Sequence, residues 1–243
     1  QKENIDKSIF TIVHNPNELK SIAQAVSMVN AGEADILMKG LCSTDKYMRG
    51  ILNKENGLLP PKAVLSHVCV VQNPGYHKLL VISDIAVIPA PDLKQKQAMI
   101  GYMANTARAL GVEKPKVAMI TATEQMLPGM PACVEAAMLA KMSDRGQIAG
   151  CVVDGPLALD VALCKEAAEI KKLKSEVAGD ADCCVFPSIE AANVFYKFAG
   201  HFCPGVKMAA MVAGAKAPCV LSSRADSTET KLNSIALAAL TAK

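Results

Sequence analysis

Apolar positions along this chain follow two periods. At Leu19, Ile22, Ala23, Val26 and Val29 they keep the 3.6-residue repeat of a helix with one face on a core. Asn15 and Pro16 suit the cap and first position of that helix, and Gly32 ends it. Residues 34–38 predict a short strand, and Tyr47, Met48, Ile51 and Leu52 predict a second helix. The intervening Lys39-Gly40-Leu41-Cys42-Ser43-Thr44 is then a strand-to-helix loop, with Lys39 on the loop and Arg49 in the first turns beyond it. Open α/β sheets bind ligands at such an edge. Each cation also reads as a solvated surface group.

Pro60-Pro61 reads as a hinge or domain boundary. Beyond it, residues 63–72 and 78–83 are β-rich runs around Asn73-Pro74-Gly75, which predicts an antiparallel hairpin. Pro91-Asp92 starts a helix that Gly111 closes. A strand at 116–121, a helix at 131–145 and a strand at 148–154 follow, with Asp154 at the carboxyl end of the last. Residues 181–186 predict a strand. Residues 190–198 predict a helix whose Asn193 is functional or plain polar surface, and 206–212 give another apolar segment. Strands alternating with helices across short turns predict an α/β fold with a mainly parallel sheet covered on both faces.

The most suggestive stretch lies near the end. The apolar run 219–221 leads into Ser222, Ser223 and Arg224, and Asp226 followed by Glu229 is a helix-start signal. Free backbone N–H groups and the helix dipole favour an anion at such a junction, and a guanidinium grips phosphate or carboxylate with two bonds. The same string also reads as a surface turn whose acidic residues merely cap a helix.

Composition narrows the partners. The 243 residues are 51% hydrophobic but only 4% aromatic with no Trp, which suits helices on a buried sheet better than a stacking surface for nucleic acid. A net charge of +3 is too mild for a polyanion partner and compatible with small anions. Nine scattered cysteines without C-x-x-C spacing indicate neither a disulfide framework nor a zinc site, a pattern expected of the cytoplasm. No apolar run reaches the roughly 18 residues of a membrane span, and residues 1–4 show no signal-peptide pattern. The chain does not start with Met, as expected for a processed or truncated product. No phosphate-loop, dinucleotide, zincin or nucleophile-elbow motif is present. The four histidines, His14, His67, His77 and His201, do not cluster at metal spacing, and each reads as structural or exposed. Hydroxyls, loop cations and carboxylates remain, a set suited to positioning an anionic substrate.

Six motifs in order then carry a resemblance: Met38-Lys39-Gly40-Leu41, Leu65-Ser66-His67-Val68, 141–147 (KMSDRGQ), 151–160 (CVVDGPLALD), 176–182 (EVAGDAD) and Ser223-Arg224-Ala225-Asp226-Ser227. Together they resemble the phosphate acetyl/butyryltransferase family, its butyryl branch most closely, from about Asn15 to the C-terminus. The family's opening βα unit would then be missing before Gln1. The resemblance implies reversible transfer of an acyl group between coenzyme A and phosphate, with acyl-CoA and phosphate as partners and no further cofactor or metal. It implies two α/β/α domains similar to isocitrate and isopropylmalate dehydrogenases, here 1–60 with 212–243 and 61–211, a cleft between them, and a homodimer. Nucleic acid and membrane are not expected partners.

In the acetyl branch a Ser-Arg pair and an upstream Arg act on the reacting centre and phosphate; Ser223, Arg224 and Arg49 match them. Lys39, Gly40, Ser222 and Asn193 are the further substrate-binding candidates. That branch also carries an Asp seven residues after its Ser, credited as base for the CoA thiol, whereas position 230 here is Thr. Asp226 and Glu229 are the nearest carboxylates, and Asp226 is the candidate base or a helix cap. With a thiol pKa of about 8.5, ionisation costs about 2 kcal/mol at pH 7, so a weak or water-relayed base suffices. A metal-dependent dehydrogenase of the related fold and a non-catalytic binder of CoA or acyl phosphate remain as alternatives.

Overall fold

The computed structural model describes residues 6–222 and 226–242. Helix α1 (Glu18–Asn30), strand β1 (Leu37–Met38) and helix α2 (Thr44–Ile51) come first, followed by the hairpin β2 (Ser66–Gln72) and β3 (Leu80–Ser83). Then come α3 (Leu93–Ala109), β4 (Lys116–Ile120), α4 (Pro131–Asp144), β5 (Val152–Leu157), α5 (Leu159–Leu163) and α6 (Lys165–Ile170). The chain continues through β6 (Cys183–Val185), α7 (Ile189–Phe202), β7 (Lys207–Ala213), β8 (Cys219–Val220) and α8 (Thr228–Thr241).

All the strands share one sheet in the order β1-β8-β7-β2-β3-β6-β4-β5. It is a mixed α/β sheet, parallel at both flanks and antiparallel through β8-β7-β2-β3. Side chains alternate between faces along a strand, and two core clusters follow that alternation. Val68, Val70, Val81 and Val117 pack under α3, α4 and α8. Cys69, Val71, Ile82 and Ala118 face the opposite way, against α5, α6 and α7. A third cluster joins α1 and α2 to β1, β8, Leu65 and Val212.

Local chemistry moved several expected boundaries. Asn17, not Asn15, caps α1, its side chain accepting from the Lys20 N–H at 3.0 Å, while Asn15 accepts from Asn17. Strand β5 starts at Val152 and runs through Gly155 and Pro156, so Asp154 lies inside the strand. Gly150, at a φ of 79°, delays the ladder. A proline is tolerated further on because β5 is the sheet's edge, where its missing N–H breaks no ladder bond.

Candidate active site

Two adjacent parallel strands, β1 and β8, each precede a helix in the chain, α2 and α8. Ser43 caps α2 by accepting from the Lys46 N–H, and Ser227 caps α8 by accepting from the Thr230 N–H at 3.0 Å. Both helix N-termini therefore lie beyond the carboxyl ends of paired strands, with N–H groups available to an anion. The Lys39 N–H donates to the Val220 carbonyl at 3.0 Å, and continuing that register sets Gly40 level with Ser222. Lys39 is only 6% exposed. Its ammonium donates to the Gly40 carbonyl at 3.2 Å and has no carboxylate partner among the described residues. A buried cation in that condition favours an anionic ligand, because a buried charge without a counter-charge is costly. Below it the Tyr47 hydroxyl, 2.9 Å from the Leu37 carbonyl and 3.2 Å from that of Val220, ties α2 to both strands.

Asp226 stands just ahead of α8 and leaves the capping to Ser227. Tyr196 of α7 donates to Asp226 Oδ1 at 3.4 Å. Burial, then the neighbouring Cys69 and Asp226, push the tyrosine hydroxyl up, so it remains a donor. One turn earlier, Asn193 Nδ2 donates to the Ile85 carbonyl at 2.9 Å, holding the loop that follows β3. That loop is organised by Asp84, whose carboxylate accepts from the N–H groups of Ala86 and Val87 at 2.8 Å, of Ile88 at 3.3 Å and of His67 at 3.1 Å.

His67 itself was read from the sequence as structural or exposed, and the structure makes it the most unusual polar group of this region. It lies on the face of β2 that carries Cys69 and Val71, cross-strand from Val212, which pairs in turn with Cys219. Its ring thus sits between the cluster under α5–α7 and the cluster under α1–α2. The residue is 5% exposed, and both ring nitrogens are buried without a hydrogen-bond partner among the described residues. Each such omission costs about 1–3 kcal/mol. Burial pushes the imidazole pKa down against the opposing pull of Asp84, the Leu221 carbonyl and Asp226. The one signal for it in the sequence is a histidine inside an otherwise apolar strand.

The other expected residues fall outside this group. Arg49 occupies the last turn of α2 rather than the first turns, with a side chain 76% exposed and its Nε 3.1 Å from Asp45. It lines the groove between α1 and α2 beside Ile22 and Val26. Glu229 pairs with Lys207 of β7 at 2.6 Å. Ser223 and Arg224 lie outside the described residues.

A family model, phosphate acetyl/butaryl transferase, matches residues 2–239. The chain belongs to this family. It is 49% identical to the phosphate butyryltransferase of Clostridium acetobutylicum over 99% of this chain and 79% of that one. It is 46% identical to the phosphate acetyltransferase of Thermotoga maritima over 89% of this chain and 73% of that one. Among solved structures, a branched-chain phosphotransacylase from Enterococcus faecalis superposes with a TM-score of 0.89 at 33% identity, covering 98% of this chain and 84% of that one. An enzyme of the transferase class is therefore the frame for the geometry above.

Proposed function

We propose that this protein transfers a short-chain acyl group, butyryl foremost, between coenzyme A and inorganic phosphate, giving acyl phosphate and free CoA. The observation that carries the reading is the buried Lys39 ammonium at an edge shared by two helix N-termini, where an anion is the missing partner. Family membership and the butyryltransferase relative support the same substrates.

In this reading both substrates are bound together and no covalent enzyme intermediate forms. Lys39, Gly40 and Ser222 line the anion subsite, and Arg49 and Arg224 hold phosphate as it attacks the thioester carbonyl. Arg49 would leave Asp45 to do so, which is inexpensive because an exposed ion pair is worth about 0–1 kcal/mol. Ser223 and helix-terminal N–H groups stabilise the oxyanion, and Asn193 steadies the facing loop. Asp226, one residue ahead of the Ser227 cap, is the carboxylate at hand for proton handling. The chain divides into 1–60 with 212–243 and 61–211, with the substrates in the cleft between. A homodimer would bury the exposed apolar face of α7 at Val194, Phe198 and Phe202. Coenzyme A enters as substrate, and the reading calls for no resident cofactor.

Thiol release from butyryl-CoA and phosphate tests the site. Arg224→Ala should lower kcat on the order of 100-fold if the guanidinium acts in the transition state. A variant as active as the wild type would remove Arg224 from the site. Chain length is set by pocket shape, at about 1–3 kcal/mol per methylene. Comparing kcat/KM for acetyl-, propionyl- and butyryl-CoA should rank butyryl first.

A further inference from the structure

Among the described residues, the two ring nitrogens of His67 are the only buried side-chain nitrogen or oxygen atoms without a hydrogen-bond partner. Other polar groups buried nearby are satisfied. Asp84 accepts from four backbone N–H groups, Ser66 and Ser83 share a hydrogen bond of 2.7 Å, and Ser234 donates to Thr230 and accepts from Ala210. The exception is also placed where the cluster under α5–α7 meets the cluster under α1–α2, close to Leu221 just after β8.

We propose that His67 is the proton carrier of acyl transfer, the group that takes the proton from the thiol of coenzyme A when acyl-CoA is made and returns it when acyl-CoA is cleaved. The proposal rests on the acyl-transfer reading above and adds a residue to it. The backbone acceptor facing the ring is the Leu221 carbonyl. The neutral ring keeps a lone pair on one nitrogen, and that nitrogen has no hydrogen-bond partner among the described residues. Burial favours the neutral ring, so that lone pair is available at neutral pH.

The charged groups facing the ring come from separate elements: Asp84 from the loop after β3, and Asp226 from the turn before α8. Tyr196 of α7 hydrogen-bonds Asp226, and Cys69 on the same strand is held as a thiol because burial raises its pKa. An imidazolium formed during the reaction would thus face two carboxylates. A neutral acceptor with negative charge waiting behind it is the arrangement a transient base requires.

The proton balance closes in both directions. When acyl-CoA forms, the S–H bond breaks, its proton moves to the free nitrogen, sulfur bonds the carbonyl carbon of acyl phosphate, and the carbon–oxygen bond to phosphate breaks. The imidazolium then protonates the departing phosphate. In reverse, phosphate gives its proton to the ring as it attacks the thioester, and the ring passes it to the leaving thiolate.

The test compares wild type with H67N and H67Q, each checked for folding by circular dichroism, in thiol consumption with butyryl phosphate and coenzyme A. At pH 7 the variants should lose about 10²–10⁴-fold in kcat, with KM for butyryl phosphate changed less than about twofold. The deficit should shrink as pH rises past the thiol pKa of about 8.5, where thiolate forms unaided. Variants within about threefold of wild type, or a deficit constant across that range, overturn the proposal. Wild-type protein without activity overturns the acyl-transfer reading itself. Should both variants fail to fold, H14Q/H77Q/H201Q leaves His67 as the single histidine, since the other three are exposed. Its ¹⁵N ring resonances should move on adding coenzyme A, and resonances that stay in place overturn the proposal.

Discussion

Lys39 is a buried residue whose ammonium meets, among the described residues, only a backbone carbonyl, and the proposed function reads it as held for a ligand rather than for stability. Lys39→Met keeps the length of the side chain and removes the charge. It should raise KM for phosphate by about 10- to 100-fold, the worth of one hydrogen bond to a charged group, and leave the melting temperature unchanged or higher. An unchanged KM in steady-state assays would take Lys39 out of the anion subsite. The strand-to-helix loop that carries Lys39 and Gly40 was legible in the sequence, because a strand pattern gives way to a helix pattern there. His67 was not, since its significance lies in burial without a partner, which only the surrounding elements create. Asp226 was misjudged as a possible cap for a local reason. Asp226 with Glu229 and Ser227 with Thr230 are competing cap pairs one residue apart, and α8 takes the second.

At the scale of the element, α8 supplies one of the two N-termini on which the proposed anion subsite rests. Ser227→Ala removes the acceptor for the Thr230 N–H and should lower stability by about 1 kcal/mol in urea titration. Unchanged stability would show that the cap contributes nothing. The turn between β7 and β8 is more stringent. Gly214 has a φ of 96°, and a Cβ there would sit 2.0 Å from the Val64 carbonyl oxygen. Gly214→Ala should therefore unfold at clearly lower urea than wild type. Element type was readable almost throughout from periodicity, and boundaries were less so. The apolar run at 148–154 looks like a complete strand, yet the positive φ of Gly150 and the edge position of β5 shift the ladder to Val152–Leu157.

Across the whole molecule, one sheet links the proposed anion edge at β1 and β8 to a charged cluster among β3, β4 and β6. Asp180 meets Lys116 at 2.6 Å, Lys78 at 2.9 Å and His77 at 2.9 Å, and Lys78 also reaches Asp182 at 2.8 Å. Burial alone would push the Asp180 carboxyl up, but its bonds to Lys116, Lys78 and His77 together hold it well below the usual range. The sign for stability follows. An acid with a depressed folded pKa stabilises above its unfolded value of about 3.9, and that contribution fades as pH falls toward the folded value. Asp180→Asn should melt below wild type at pH 7, with the gap closing in acid below about pH 4. A gap that persists there would assign the cluster to packing.

The antiparallel centre of the sheet was only half visible in the sequence. Asn73-Pro74-Gly75 signals the β2–β3 hairpin, whereas the pairing of β2 with β7 joins residues more than a hundred positions apart and has no local signature. That pairing sets β8 one strand away from the histidine strand, with β7 between them. In the proposed function, the edge so assembled brings phosphate to a thioester. Purified protein with butyryl-CoA should release free thiol only when phosphate is added, saturably, with butyryl phosphate formed in equal amount. Folded protein that releases no thiol above a protein-free control, at any phosphate concentration, would contradict it.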